Sequence, residues 1–456
     1  MAERQEIAGV SWNPMSLVLP FPWRCCAVKE DRNLEGNTFT PSLLKEVRNR
    51  FAHVDNCPLS GRRLFLDSAS GSLRLKQVVQ TMCDEGSLPD QINRNTQGSR
   101  HVMDAISRGE DDVRLFLGSS SGVVVAALTA TLALFRAIRD ATAYFEGSNV
   151  VTTALDHPAT YDSLFRASQI FGKEFRVAAP CLHTGAVEAE SLLEMVDKNT
   201  SVLAFIHGVN ITGAYNDASA IVREARSINE DICVIIDGVQ YAPYSPLDLD
   251  GIGADVYVFA PYKTYSKKGI GFAVLSERFA RIPHDRILGK REDSWELGSA
   301  DHINYLAWSD TVDYLSWLGS HFTSSASRRR RVVAAMAAIQ IRIGDLLERT
   351  VNGCGSVRGL KDIEGVSLHG LGGPLESRSC VVPMTIKGKS AVDVAASFQS
   401  SRIVVQARAS LMSTRQIRAI GVKTGEIVRM SAGHYTSYQE IDEFLLTSAK
   451  IAEECV

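Results

Sequence analysis

Short apolar runs separated by helical stretches fill the middle of the chain. Strand-like runs lie at residues 149–155, 201–206, 232–236 and 254–259, and helical patterns separate them. The run at 232–236 is apolar at every position, which is typical of a strand buried on both faces of a parallel sheet. The alternation therefore predicts an α/β fold in which helices cover both faces of a mostly parallel sheet.

Two further segments precede these strands. An apolar strand runs into small residues within 64–71, and a helical pattern follows at 75–83. Residues 113–117 are predicted to form a strand, and residues 118–122 a glycine-flanked turn. A helix follows, with residues 127–131 at or near its N-terminal end. The N–H groups at a helix start bind phosphate well, although small residues are common there without any ligand.

The C-terminal third predicts a second, smaller unit. After long helical patterns, short strands are expected at 381–386 and 403–405, which suits a small α+β domain. The predicted organisation is therefore a large domain of residues 61–320 and a small domain of residues 321–456, with an N-terminal arm of residues 1–60 packed on the small one.

Composition narrows the class of function. The 456 residues contain 49 Lys and Arg against 52 Asp and Glu, and 45% of residues are hydrophobic, as in an ordinary globular protein. The net charge of −3 gives no electrostatic case for a nucleic-acid or membrane partner, so a small-molecule substrate is expected.

The cysteines, and the motifs that the sequence lacks, narrow the class of function further. Nine scattered cysteines do not resemble a disulfide framework, and the apolar stretch at 15–23 is too short to cross a bilayer, so we expect a cytoplasmic protein. No GxGxxG fingerprint opens a helix, and Pro383 occupies the first glycine position of a P-loop-like segment that ends at 390. His53, Asp55 and Cys57 have no second pair of ligands at metal-site spacing, so no metal is expected.

Four chemically capable side chains follow four of the predicted strands. They are His157, Asn210, Asp237 and Lys263, and ligand sites in open α/β sheets lie at the carboxyl ends of the strands. The Asp–Lys pair is compatible with a simple salt bridge. It also suits pyridoxal phosphate (PLP) chemistry, in which the lysine forms a Schiff base with the cofactor and the carboxylate keeps the pyridine nitrogen protonated.

A family resemblance favours the second interpretation. The segments 237–240 (DGVQ), 262–263 (YK) and 269–272 (GIGF) resemble the core signature of the class V aminotransferase family. With tyrosine at position 262, directly before the lysine, the signature is most similar to that of the cysteine-desulfurase-like members. The resemblance implies a PLP-dependent transferase fold of type I, a PLP cofactor on Lys263, and a homodimer with shared active sites.

The resemblance also implies roles for individual residues. His157 matches the imidazole that stacks over the cofactor ring, and Asn210 and Gln240 match the two side chains that bond its phenolic oxygen. Ser299 matches the hydroxyl that reaches the phosphate of the neighbouring subunit, and Arg429 matches the arginine that grips the substrate carboxylate. The remaining implied cofactor contacts are Thr129, Ala130, Thr131, Asp237, Tyr262 and Lys263.

Two departures from the family shape the predicted reaction. Ala260 replaces a phosphate-binding serine, so one phosphate donor is missing. The segment 406–421, where desulfurases carry their reactive cysteine on a loop, contains no cysteine, and Cys380 is predicted to be buried. We therefore expect an external aldimine and a carbanion intermediate on an α-amino acid, leading to elimination rather than to a persulfide. Amino-group transfer, epimerisation, decarboxylation and a non-catalytic scaffold remain alternatives.

Overall fold

The structure is a computed structural model that describes residues 39–88 and 91–454. The predicted N-terminal arm therefore lies largely outside the described residues. The helices are α1 (Pro41–Arg50), α2 (Lys76–Glu85), α3 (Gln97–Leu117), α4 (Ala130–Tyr144), α5 (Pro158–Phe171), α6 (Ala189–Leu193), α7 (Ala218–Ile228), α8 (Leu249–Ile252), α9 (Glu277–Ala280), α10 (His302–Gly319), α11 (Arg328–Asn352), α12 (Ala391–Ser400), α13 (Leu411–Ala419) and α14 (Tyr438–Glu453).

Seventeen short strands accompany these helices within the described residues. They are β1 (Asn56–Cys57), β2 (Gly61–Arg62), β3 (Leu64–Phe65), β4 (Val123–Ala127), β5 (Asn149–Thr153), β6 (Glu174–Ala178), β7 (Thr200–Ile206), β8 (Cys233–Asp237), β9 (Val256–Phe259), β10 (Gly271–Leu275), β11 (Gly353–Cys354), β12 (Val357–Arg358), β13 (Val366–Leu368), β14 (Val381–Ile386), β15 (Ile403–Val404), β16 (Gln406–Arg408) and β17 (Ile427–Ser431). Seven of them form the central sheet, in the order β4-β10-β9-β8-β7-β5-β6. Every neighbouring pair in this sheet is parallel except those that involve β10.

The continuous apolar runs reflect burial on both faces of the central sheet. In β8, Cys233 and Ile235 belong to one hydrophobic cluster, whereas Val234 and Ile236 belong to the cluster on the other face. Successive side chains of a strand point to opposite faces, so a strand covered twice needs apolar residues at every position. The structure confirms the predicted α/β fold of type I with a mostly parallel sheet.

A second sheet is built from the C-terminal third. Its order is β13-β14-β17-β16, and all its neighbouring pairs are antiparallel. The segment around β3 joins this part of the molecule, since β3 pairs with β15 and Asp67 bridges Ser431. The division into a large and a small domain at the predicted boundaries stays a prediction.

One predicted strand is wrong. Residues 113–117 are the last residues of α3, and the strand lies after the turn, at β4. The apolar residues Ala105, Val113 and Phe116 share the buried face of this 21-residue helix, whose left-handed C-cap is Gly118 at φ 69°. A short window that contained only the end of this helix could not distinguish its apolar residues from a strand.

The segment 406–421, expected to be a loop, is also different in the structure. It folds as β16 followed by α13, and only residues 409 and 410 lie between the two elements. Helix α13 turns Ser413, Gln416 and Ile417 towards the interior, where all three are buried. These buried side chains hold the segment against the rest of the fold. Most of the segment is therefore not a loop.

No helix within residues 39–88 and 91–454 is long and apolar enough to cross a membrane. The predicted cytoplasmic location stays a prediction.

Candidate active site

A cavity of about 300 Å³ lies at the carboxyl ends of the central strands. It brings together residues at or just beyond the ends of β7, β8 and β9, as the strand-end argument predicted, and residues from the starts of α4 and α5. Every predicted site residue except Ser299 and Arg429 lines this cavity, namely Thr129, Ala130, Thr131, His157, Asn210, Asp237, Gln240, Tyr262 and Lys263.

Lys263 lies in a short 3-10 turn, Pro261–Lys263, directly after β9. Its side chain is buried, and burial together with the nearby Arg429 guanidinium lowers the pKa of its amine to about 7, although Asp237 acts in the opposite direction. A buried amine of this kind is uncharged in a large fraction of molecules at neutral pH, so its lone pair is available for attack on a carbonyl group.

Ser72 holds the turn that carries this lysine. Its hydroxyl donates to the carbonyl of Tyr262 at 3.0 Å and accepts from the N–H of Tyr265 at 2.9 Å. Tyr265 has a φ of 66°, which is a strained conformation for a bulky residue and persists only where the surroundings fix it. The position of the lysine is therefore set by contacts on both sides of it.

Asp237 is the last residue of β8 and is 2% exposed. Its carboxylate accepts from the N–H of Val239 at 3.0 Å and from the hydroxyl of Thr160 at 3.4 Å. Burial raises the pKa of Asp237, while the Val239 N–H and the charge of Lys263 lower it. A cationic partner inside the cavity would favour the ionised carboxylate further.

His157 caps the start of α5, where its Nδ1 accepts from the N–H of Ala159 at 3.1 Å. Burial and the nearby Lys263 lower the pKa of this imidazole to about 3, so the ring is neutral at physiological pH. The preceding Asp156 is fully buried, and burial raises its pKa to about 7 even though the hydroxyls of Thr152 and Thr153 donate to it.

The start of α4 forms one end of the cavity. Thr129 is the N-cap of this helix, and its hydroxyl accepts from the N–H of Leu132 at 3.0 Å. Gly271 lies so close to Ala130 that a side chain there would collide with the helix backbone. The N–H groups of the first turn lack partners within the helix, which makes this end suitable for an anion. Ala260 also lines the cavity and offers no hydroxyl to such an anion.

Sequence reasoning missed two residues of α13 that border the site. The side-chain amide of Gln416 donates to the carbonyl of Leu155 at 2.6 Å and to Asn210 Oδ1 at 2.8 Å. The guanidinium of Arg415 donates to the carbonyls of Ala154 and Asp156. These contacts join positions more than 200 residues apart, and no motif in the sequence marked either residue.

Arg429 contacts the backbone of Asn210 and is 1% exposed. Its guanidinium donates to the carbonyl of Asn210 at 2.8 Å, to Ser70 at 2.7 Å and to Gln406 at 2.6 Å, and it contacts Asp67 at 3.3 Å. A ligand carboxylate that bound this arginine would have to replace some of these partners.

Ser299 is absent from the lining of its own subunit's cavity. It is exposed in the segment between α9 and α10, beside the half-exposed Leu297. Its predicted role towards a neighbouring subunit stays a prediction.

Glu85, His101 and His302 form a cluster away from this cavity, and their ligand atoms lie within 4.8 Å of one another. Glu85 contacts His101 at 2.8 Å and His302 at 3.3 Å, which hydrogen bonds or ion pairs explain. The predicted absence of a metal stays a prediction.

The cavity residues fit PLP. The start of α4 would suit the phosphate, the buried carboxylate of Asp237 would suit the pyridine nitrogen, and the buried amine of Lys263 would suit the aldehyde. Gln240 donates to the carbonyl of Ala69 at 3.2 Å, and its buried Oε1 has no partner among the residues described. A buried polar atom of this kind is typical of a site that a ligand completes.

Comparison with known proteins agrees with this geometry. A probable cysteine desulfurase 2 of Mycobacterium leprae is 24% identical over 356 residues, which cover 74% of this chain and 82% of that protein. A cysteine desulfurase of Yersinia pestis is 32% identical over 125 residues, which cover 27% of this chain and 30% of that protein.

Solved structures show the same fold. The cysteine desulfurase of Thermococcus onnurineus NA1 superposes with a TM-score of 0.73 at 19% identity, covering 90% of this chain and 98% of that one. The cysteine desulfurase CsdA of Escherichia coli gives a TM-score of 0.72 at 17% identity, covering 92% and 100%. The family model described as "Aminotransferase class-V" matches residues 64–444. The chain therefore belongs to the class V aminotransferase family and resembles its cysteine-desulfurase-like members.

Proposed function

We propose that this protein is a PLP-dependent enzyme that catalyses an elimination on an α-amino acid. The observation that carries the proposal is the cavity in which Lys263 and Asp237, at the ends of neighbouring strands, face the start of α4. Lys263 would hold the cofactor aldehyde, Asp237 its ring nitrogen, and the first turn of α4 its phosphate. When bound, PLP supplies an electron sink for the bonds of the substrate α-carbon.

The residues of the chain account for the remaining steps. Arg429 would orient the substrate carboxylate as a planar two-point donor. The amine of Lys263, when it is not bound to the cofactor, would take the proton from the substrate α-carbon. In an elimination the bond from the β-carbon to its substituent then breaks, and the electron pair leaves with the substituent. Hydrolysis of the remaining unsaturated amine gives a keto acid and ammonia.

We expect PLP uptake by the apoenzyme to depend on pH through Lys263. The lysine is protonated and unreactive below its pKa and becomes a free amine above it, so the rate should rise with pH to a plateau with a midpoint near 7. The absorbance change on mixing apoenzyme with PLP at a series of pH values measures this rate. A midpoint close to 10.5, the ordinary value for lysine, would contradict the expected shift.

The positions of the cysteines within residues 39–88 and 91–454 favour elimination over desulfuration. A desulfurase of the persulfide-forming type needs an exposed cysteine that faces the cofactor. No cysteine lines the cavity among the residues described, and residues 406–421 contain none. Cys380 is 1% exposed, and burial raises the pKa of its thiol to about 12.

Cysteine desulfuration is the second candidate, because the relatives and the solved structures carry that name. Amino-group transfer is a further alternative. All three share the steps up to cleavage of a bond at the α-carbon and differ in the products that follow.

Product analysis distinguishes these reactions. The cofactor-loaded protein is mixed with cysteine and with a panel of other amino acids, with and without a keto-acid acceptor, and the products are identified by mass spectrometry. We expect a keto acid and ammonia without any acceptor. Alanine together with a persulfide on the protein, lost in Cys380→Ser, would instead establish desulfuration, and a requirement for the acceptor would establish amino-group transfer.

A further inference from the structure

Helix α13 is fastened to the loop that carries His157. Arg415 donates to the carbonyls of Ala154 and Asp156, and Gln416 donates to the carbonyl of Leu155 between them. Three consecutive carbonyls directly before His157 are thus held by two neighbouring side chains of one helix.

The contacts of Gln416 determine which way the amide of Asn210 points. A backbone carbonyl only accepts hydrogen bonds, so the Gln416 atom that contacts Leu155 must be the nitrogen. The same nitrogen contacts Asn210, so the atom of Asn210 that faces it must be the oxygen. The Asn210 nitrogen therefore lies on the other side of the amide.

One atom of the buried Gln416 side chain lowers the stability of the fold. Its Oε1 is buried without a hydrogen-bond partner among the residues described, and an unpaired buried carbonyl lowers the free energy of unfolding. A leucine would fill a similar volume without this cost. The two donated hydrogen bonds explain why a glutamine occupies the position.

We propose that Gln416 is a positioning residue that fixes the Asn210 amide with its N–H groups available to the cofactor's phenolic oxygen. The proposal rests on the proposed function, since it needs PLP in the cavity. Gln416 does not itself line the cavity, so we expect its effect on the cofactor to pass through Asn210, while its second hydrogen bond holds the Leu155 carbonyl.

The test measures PLP binding to apoenzyme variants by equilibrium titration, together with the absorbance spectrum of the bound cofactor. We expect Gln416→Leu to weaken PLP binding by on the order of tenfold and to change the ratio of the cofactor's absorbance bands. Gln416→Glu should have a similar effect because a carboxylate cannot donate to Asn210 Oδ1. The exposed Gln399, on α12, provides the matched control Gln399→Leu, which should leave both readings unchanged.

A double-mutant cycle with Asn210→Ala separates positioning from general packing. If Gln416 acts through Asn210, Gln416→Leu should have little further effect on PLP binding once Asn210 is alanine. Full additivity of the two substitutions would overturn the proposal, as would unchanged binding and spectra in both Gln416 variants. A wild-type protein that takes up no PLP would instead refute the proposed function.

Discussion

Replacement of Lys263 by alanine should abolish the covalent link to PLP and lower turnover by about 10²–10⁴-fold. The lysine is the only cavity residue with a primary amine on a buried side chain among the residues described. We propose that it serves as both cofactor anchor and proton acceptor. Borohydride reduction followed by peptide mass spectrometry measures the link, and turnover is measured on the amino acid found by product analysis.

Lys267→Ala is the matched control for this substitution. Lys267 lies shortly after Lys263 in the chain, but its amine contacts Asn304 at 2.6 Å rather than the cavity. The variant should retain the cofactor link and most of the activity. A trapped linkage that persists unchanged in Lys263→Ala would show that another residue holds the cofactor.

The strand ends were predictable because a strand that is buried on both faces has a continuous run of apolar residues in the sequence. The run 232–236 is apolar throughout, and Asp237 interrupts it where the strand reaches the cavity. The same reasoning placed His157, Asn210 and Lys263 correctly at one edge of the sheet. The topology explains why these residues lie close together, since parallel strands have their carboxyl ends at the same edge of the sheet.

The contribution of α13 could not be predicted in this way. Arg415 and Gln416 lie on a helix whose pattern carries no motif, and their partners Asp156 and Asn210 precede them by 259 and 206 residues. Only the tertiary fold brings the helix against the end of β5. The family resemblance suggested a loop at this position, and the structure has a helix.

Exposed apolar residues occur in and near the segment that carries Ser299. Leu288 is 95% exposed and Leu297 is 48% exposed. Arg136 of α4 donates to the carbonyl of Trp295 at 2.9 Å, which holds this segment against α4. A protein interface over this segment would remove these side chains from water. We propose that a second copy of the chain covers them and that Ser299 serves its cofactor.

Mixed dimers test the proposed exchange of Ser299 between subunits. One subunit carries Lys263→Ala, and the other carries Ser299→Glu, whose carboxylate would repel a phosphate. If Ser299 serves the partner's site, the Ser299→Glu subunit retains Lys263 and receives an intact Ser299 from the other subunit. The mixed dimer should then trap about one cofactor per dimer, although neither parent protein traps cofactor efficiently.

The two chains are co-expressed with different affinity tags and purified through both, and the borohydride-trapped cofactor is counted by mass spectrometry. Ser299→Ala serves as the control without added charge and should weaken cofactor binding less than Ser299→Glu does. If Ser299 acted within its own subunit, the only subunit with Lys263 would face its own glutamate, and the mixed dimer would trap no more cofactor than the Ser299→Glu parent. A monomer with full cofactor occupancy would refute the shared site directly.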